Sequence, residues 1–294
     1  MAIKPYLKLL RPEQWTKNLF VFLPLFFGGQ LLNLSLFAQC IIAFVAFSFA
    51  ASSIYCFNDM YDVETDRLHP KKCKRPIASG AISSKQAQVV MVICLLLSMA
   101  VLFLFGGTAK YLLMALIAIY FIMNLAYCIL LKRYAIVDVM VIATGFVLRI
   151  LVGGTAVEIW LSEWIMMMTF LLALFLAFAK RRDDVVLYQH TGVLPRKNTK
   201  RYNLEFLNQV MTIVSTVTIV AYIMYTISPD VMAQFQNRNI YFTAVFVLGG
   251  ILRYLQVTIV DLQSGNPTTI LLKDRFIQLC IAGWIALFLI IIYV

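Results

Sequence analysis

The sequence predicts an all-α, polytopic membrane protein, and three observations carry that prediction. Of its 294 residues, 62% are apolar and 13% charged, with a mean hydropathy of +0.86, far beyond the apolar share of a soluble domain. The apolar residues gather into about nine runs, each near the roughly 20 residues that a helix needs to cross a bilayer. Those runs are too long, and alternate too rarely, for barrel strands of about ten residues.

The elements follow in order. MAIKPYLKLLRPEQWTKN sets Tyr6 and Trp15 among Lys4, Lys8, Arg11 and Lys17, the composition of a segment lying on headgroups rather than of a cleavable signal. The first two spans are expected at 18–36 and 38–57. The charged stretch NDMYDVETDRLHPKKCKRPIASG, residues 58–80, comes next. Further spans are expected at 87–106, 109–131, 135–157, 163–180, 206–228, 239–261 and 276–294. They fill the chain, so a single transmembrane domain over residues 1–294 is expected. The six cysteines, at 40, 56, 73, 94, 128 and 280, lack metal-ligand spacing and read as packing residues.

Lysine and arginine accumulate in cytoplasmic loops. Bases precede the first span, follow the second from Arg67 to Lys85, follow the fourth at Lys132 and Arg133, and follow the sixth from Lys180 to Arg201. Arg253, Lys273 and Arg275 surround the last turn on that side, while Lys110 and Arg238 stand on the other. The pattern implies a cell-membrane protein with its amino terminus inside and its carboxyl terminus, at Val294, outside. The net charge of +11 accounts for topology and for attraction to anionic lipid.

It does not account for the acids. At about 100° per residue, Asp59, Asp62 and Asp66 project within roughly 60° of one another if the second helix continues, with Asn58 and Tyr55 on the same face and Glu64 opposed. Clustered carboxylates repel until a cation neutralises them. Hard oxygen donors without histidine or cysteine suit Mg²⁺, which is usually completed by substrate phosphates; the alternative is a solvated helix end paired with its own basic loop. Pro70 and Pro76 break the helix, Gly80 permits a turn, and Lys72, Lys74 and Arg75 stand in the loop beside the acids. Acids for a metal and bases for phosphate oxygens, side by side, describe a di- or polyphosphate site.

The run N58-D-x-x-D62-x-x-x-D66, followed by HP and RPIASG, resembles the first aspartate motif of the UbiA superfamily of intramembrane prenyltransferases. That resemblance implies nine helices around a cavity open to the cytoplasm, and Mg²⁺ with a substrate pyrophosphate at the motif. A second aspartate motif is usual in the superfamily. At its place this chain reads AFAKRRDDVVLYQHTGVLPRK, with Lys180, Arg181 and Arg182 before Asp183 and Asp184. The exchange of acids for bases matches the decaprenyl-phosphate phosphoribosyltransferase branch, as do LRPEQWTKNLFVFLPLFF, GFVLRILVGGTAV, RYNLEFL and RYLQVTIVDLQSGNPTTILLKDRFIQ. The activity so implied moves 5-phosphoribose from 5-phosphoribosyl 1-pyrophosphate to a polyprenyl phosphate such as decaprenyl phosphate.

Roles follow from that resemblance. Asn58 and Asp62, with Asp59 and Asp66, are expected to hold the metal, the three aspartates serving catalysis. Tyr55 either hydrogen-bonds donor oxygens or packs. Lys72, Lys74 and Arg75 are expected to meet phosphates, with at least one of them simple surface charge. Lys17 and Asn18 either meet a lipid phosphate or sit at the interface, and Lys132 and Arg133 either bind substrate or cap a helix dipole. Arg149 lies well inside the fifth span and needs an anion, either substrate phosphate or a carboxylate on another helix; Asp138, on its own face and eleven residues earlier, is about 16 Å along the axis. Arg181 or Arg182 is expected to clasp the 5-phosphate. His69 reads as shaping the loop or touching phosphate, and His190 as an exposed loop residue.

Two other readings stand beside this one: a UbiA-type prenyltransferase using an isoprenyl diphosphate and an aromatic or other acceptor, and a non-enzymatic anion or lipid-phosphate transporter. Membrane lipids are expected partners, nucleic acid is not, and a homo-oligomer is compatible with the sequence. The topology is directly testable. Single cysteines placed at residues 72, 132 and 197 in a cysteine-free background should react with a membrane-impermeant maleimide only from the cytoplasmic side, and labelling of residue 72 from outside would overturn the site just described.

Overall fold

Polar residues at the ends of the apolar runs start the long helices. Asn33 accepts from the amides of Ser35 and Leu36, Ser83 and Gln86 form a reciprocal capping box, and Ser162 and Asn203 accept from Ile165 and Phe206. Each satisfies amides that a first helical turn leaves open. The computed structural model describes residues 3–68, 72–192, 194, 196–261 and 267–293; His69, Pro70 and Val294 lie outside the described residues.

Among the described residues the regular structure is helical throughout. Helices α1 (Ile3–Leu10), α2 (Leu23–Phe27), α3 (Leu34–Tyr61), α4 (Val63–Arg67), α5 (Ser84–Leu102), α6 (Ala109–Ile129) and α7 (Val137–Val157) make the first part. Helices α8 (Glu163–Thr191), α9 (Leu204–Thr226), α10 (Pro229–Phe235), α11 (Thr243–Leu255), α12 (Pro267–Lys273) and α13 (Arg275–Tyr293) make the rest. Eight of the described segments are long and apolar enough to cross a bilayer.

The first expected span departs from a regular helix. Residues 18–36 contain the end of a 3-10 helix over Pro12–Phe22, then α2, then turns through Gly28 and Gly29, whose φ is 66°. Arg11 before it has φ 51°, and Pro12 and Pro24 each stand in the first turn of a helix, so neither proline amide is missed. The sixth expected span also changes: α8 runs to Thr191 rather than 180. It ends at Gly192, whose φ of 68° suits the left-handed cap.

Packing divides the described chain into two compact units, residues 1–132 with 145–161 and residues 133–144 with 162–294. In the first, α3 presents Ala43, Ala46, Ala50 and Ala51 to its neighbours, small residues that let helices approach closely. Ser53 Oγ donates to the Met91 carbonyl at 2.9 Å and Ser98 Oγ to that of Ala46 at 2.7 Å, joining α3 to α5. Phe47, Leu113, Ile117, Tyr120, Leu148 and Val152 fill the core between α3, α6 and α7. In the second unit, Phe175, Phe178, Leu207, Met211, Tyr254 and Ile277 pack α8, α9, α11 and α13. Trp284 Nε1 donates to Tyr222 Oη at 2.6 Å.

One close approach fixes the 3-10 helix in the first unit. A Cβ on Gly153 of α7 would collide with the backbone carbonyl of Val21, whereas one on Gly106 would meet nothing within 4 Å. Backbone cannot yield as a flexible side chain does. Gly153→Ala should therefore lower the thermal midpoint in detergent, with overpacking costing about 1–3 kcal/mol, and Gly106→Ala should stay close to wild type. Equal midpoints for the two variants would contradict this packing.

Candidate active site

The end of α3 carries the acids out of the bilayer, and a bend at Asp62 separates them. Asp62 has φ −95° and ψ 8°, yet its amide still donates to the Asn58 carbonyl and the Asp66 amide to its own carbonyl, so the helical path resumes in α4. The three carboxylates nonetheless divide. Asp59 and Asp66, 1% and 2% exposed, turn toward the basic loop, while Asp62 turns toward the end of α6.

Arg75 stands between the two buried acids. Its Nη1 lies 3.1 Å from Asp59 Oδ1 and 2.6 Å from Asp66 Oδ2. The turn that delivers it includes Gly80 at φ 80° and hydrogen bonds from Gly80 to Ile77 and from Ile82 to Pro76. Arg11 pairs with the same oxygen of Asp59 and stacks over Tyr55, its guanidinium carbon 5.2 Å from the ring centre. Lys132 Nζ pairs with Asp62 Oδ1 at 2.6 Å and lies over the Tyr61 ring. Lys72 and Lys74 form a single 3-10 turn with Cys73; the Lys74 side chain is exposed, and its carbonyl accepts from Lys8 Nζ at 2.8 Å. Glu64 is exposed and pairs with Arg67.

The donor set suits a hard cation. Asp59 Oδ2 is buried without a hydrogen-bond partner, and the Arg75 nitrogen shared by two carboxylates is a cationic stand-in where a metal could bridge them. Among the described residues, no three acidic, histidine or cysteine side chains converge to enclose a metal alone. Mg²⁺ commonly takes one or two carboxylates and completes its shell with water and phosphate, so Asp59 and Asp66, joined through Arg75, fit it, while Asp62 pairs with Lys132. Asn58 Oδ1 accepts from Cys128 Sγ at 3.5 Å.

The protein partners of Arg149 are neutral rather than a carboxylate on another helix. Its Nε donates to Asn18 Oδ1 at 2.9 Å, Nη1 to the Gly145 carbonyl at 2.7 Å and Nη2 to Tyr120 Oη at 3.3 Å, and the rings of Phe47, Tyr120 and Phe146 lie around it. Asn18 is buried, with its amide nitrogen donating to Ser48 Oγ, so it positions Arg149 within the first unit. Lys17, half-buried, precedes it on the 3-10 helix.

In the second unit the basic triplet lies inside α8. Arg181 Nε binds Asp138 Oδ2 at 2.6 Å and Nη1 binds Asp184 Oδ2 at 3.1 Å; Arg196 adds a contact to Asp184 at 3.0 Å. Tyr202 donates to Asp138 Oδ1 at 3.1 Å, and burial pushes its hydroxyl up to about 12, so it remains a donor at neutral pH. Arg182 points elsewhere: Nε donates to Asn208 Oδ1 at 2.8 Å, and its buried Nη1 has no hydrogen-bond partner. Two arginines adjacent on a helix diverge by about 100°, and here one is bound by two carboxylates while the other meets a neutral amide. Arg133 belongs to this unit and lines a pocket with Arg201 and Tyr202. Sequence reasoning missed Arg11, Asp138 and Arg196 as partners of the site residues; the one local signal was Arg11 before a proline, a position that disfavours helix.

The description of the UbiA prenyltransferase family matches residues 19–279. A decaprenyl-phosphate phosphoribosyltransferase of Corynebacterium glutamicum is 33% identical, covering 98% of this chain and 86% of that protein. One of Mycolicibacterium smegmatis is 35% identical over 95% of this chain and 89% of its own. Among solved structures, a UbiA homolog from Archaeoglobus fulgidus bound to GPP and Mg²⁺ superposes with a TM-score of 0.70 at 19% identity, covering 99% of this chain and 100% of that one.

Arg75 is the test of the acid pairing. Arg75→Gln removes the cation between two buried carboxylates and should cost about 1–3 kcal/mol of stability, read as a lower thermal midpoint; adding Asp66→Asn should restore part of that loss. Strict additivity of the two changes would show that the contact carries no energy.

Proposed function

The chain belongs to the UbiA prenyltransferase family, and from that premise we propose that it is a polyprenyl-phosphate phosphoribosyltransferase of the cell membrane. It transfers 5-phosphoribose from 5-phosphoribosyl 1-pyrophosphate to a polyprenyl phosphate and releases pyrophosphate. The observation that carries this reading is the similarity to decaprenyl-phosphate phosphoribosyltransferases over 95% or more of the chain. The basic run from Lys180 to Arg182, where the superfamily usually has acids, supports it, because the donor brings a further phosphate. The 1–294 chain acts as one UbiA-like domain, with the amino terminus and the aspartate motif cytoplasmic and the carboxyl terminus external.

The reaction breaks the bond from ribose C1 to the pyrophosphate oxygen, and the electron pair leaves with pyrophosphate. An oxygen of the lipid phosphate forms the new bond to C1. That oxygen is already anionic near neutral pH, so no strong general base is required of the chain. Asp59 and Asp66, with Asp62 and Asn58, would hold Mg²⁺, which would supply positive charge to the departing pyrophosphate. Arg75, Arg11 and Lys132 neutralise the acids in the structure and are placed to exchange those partners for phosphate oxygens, with Lys72 and Lys74 beside them. Arg182 offers its open Nη1 to the 5-phosphate. Arg181, with both acids bound to it, positions the end of α8.

Purified protein with Mg²⁺, radiolabelled 5-phosphoribosyl 1-pyrophosphate and a polyprenyl phosphate should yield extractable labelled lipid, and chelation by EDTA or the change Asp62→Asn should remove most of that activity. Arg182→Ala should raise the KM for the donor about 10- to 150-fold, the loss of one charge-assisted hydrogen bond of about 1.5–3 kcal/mol, while moving the KM for the lipid much less. Consumption of an isoprenyl diphosphate with an aromatic acceptor, abolished by Asp183→Asn and indifferent to Arg182→Ala, would replace this reading with a prenyltransferase.

A further inference from the structure

A pocket of about 640 Å³ opens in the second unit, away from the acids of the aspartate motif in sequence and lined by residues of two segments only, 133–137 and 201–206. Its walls carry two guanidiniums, Arg133 and Arg201, and no acid. Arg201 pairs with no acid among the described residues. Of the carboxylates nearest along the chain, Asp138 is fully buried and engaged by Arg181 and Tyr202, and Glu205, exposed beside Phe206, is not among the lining residues. The lining therefore carries basic side chains and no acid.

Its other wall is apolar. Ile136 and Val137 stand at the head of α7 and Phe206 in the first turn of α9, all three exposed, and both helices continue as membrane-crossing segments. Tyr134 is exposed too, and Tyr202 stacks with Phe206 at 6.2 Å and 24°. The pocket thus sits at the level where two spans leave the bilayer, with aromatic side chains of the kind found at the membrane boundary. The backbone is strained there: Ile136, β-branched, has φ 69°, a conformation held because its amide donates to Tyr202 Oη at 2.7 Å. Such outliers persist only where the surroundings enforce them, and they gather at binding sites. The first turns of α7 and α9 add the positive ends of two helix dipoles.

We propose that this pocket binds an anionic membrane phospholipid. Its phosphate lies between Arg133 and Arg201, and its acyl chains run down along Val137 and Phe206. A charged head paired with two arginines and a tail lying on lipid-facing helices is the one arrangement that satisfies both walls together; a free phosphate uses only the first, and a neutral phospholipid offers no net charge to the rim.

Native mass spectrometry of the full chain in detergent, titrated with phosphatidylglycerol or phosphatidylcholine of the same acyl chains, tests this. The expected result is one retained phosphatidylglycerol, at least tenfold preferred over phosphatidylcholine. Occupancy should fall at least fivefold in Arg201→Gln and in Arg133→Gln, and remain unchanged in Lys85→Gln, a basic position of the first unit. Millimolar inorganic phosphate and equimolar polyprenyl phosphate should not displace the lipid. Equal retention of the two phospholipids would overturn the proposal, and so would wild-type retention in both folded arginine variants. Displacement by polyprenyl phosphate would make the pocket an acceptor site, and displacement by inorganic phosphate a simple anion site; either overturns it as well.

Discussion

The cost of carrying carboxylates to the edge of a bilayer governs the first unit. Asp59 and Asp66 are almost wholly buried, where unpaired charge costs several kcal/mol. One arginine nitrogen contacts both, and a second arginine reaches the same oxygen of Asp59. Three separate stretches of chain, the turn before the 3-10 helix, the end of α3 with α4, and the loop after it, are tied together by that shared charge. Removing Arg75 would leave Asp66 buried without its cation, so the loop conformation, the exit path of the chain from α3 and the candidate chemistry rest on the same contacts.

The second unit applies the same rule with the signs redistributed. Arg181 is enclosed by Asp138 and Asp184, and Arg196 and Tyr202 complete the pairing. Two carboxylates bind Arg181 from α7 and from its own helix, so this network holds structure. Arg182, one residue on, has a single neutral partner and a buried nitrogen without one. Arg181 thus ties α8 to acids, while Arg182 ties it to the Asn208 amide.

Most of the helical plan was legible because apolar length is a one-dimensional signal. The expected spans at 109–131, 135–157 and 239–261 agree with Ala109–Ile129, Val137–Val157 and Arg238–Val260 to within two residues at each end. The first span was misjudged in form, because composition does not distinguish a stretched 3-10 helix from an α-helix, and the contact between Gly153 and Val21 that enforces it joins residues far apart in the chain. The end of α8 was placed too early because polar residues follow the apolar run, although nothing before Gly192 stops a helix there. At the site, the acids were visible as a periodic cluster and the bases as a loop. Their pairing was not: whether Asp62 meets Lys132 or Arg75, or whether Arg149 meets an acid or Asn18, depends on tertiary contacts with no local trace. Arg11 was read as a headgroup contact because its partner, Asp59, lies 48 residues away.

The account turns on competition between Arg75 and a divalent cation for the same two carboxylates. Calorimetric titration of Mg²⁺ into the purified chain, with and without inorganic pyrophosphate, measures it most directly. Wild type should bind Mg²⁺ at least tenfold more tightly with pyrophosphate present, since the phosphate oxygens then engage the bases. Arg75→Gln should bind Mg²⁺ alone more tightly than wild type does. Mg²⁺ affinity that is indifferent to pyrophosphate, to Arg75→Gln and to Asp59→Asn would contradict the account and leave the aspartate cluster a purely structural joint.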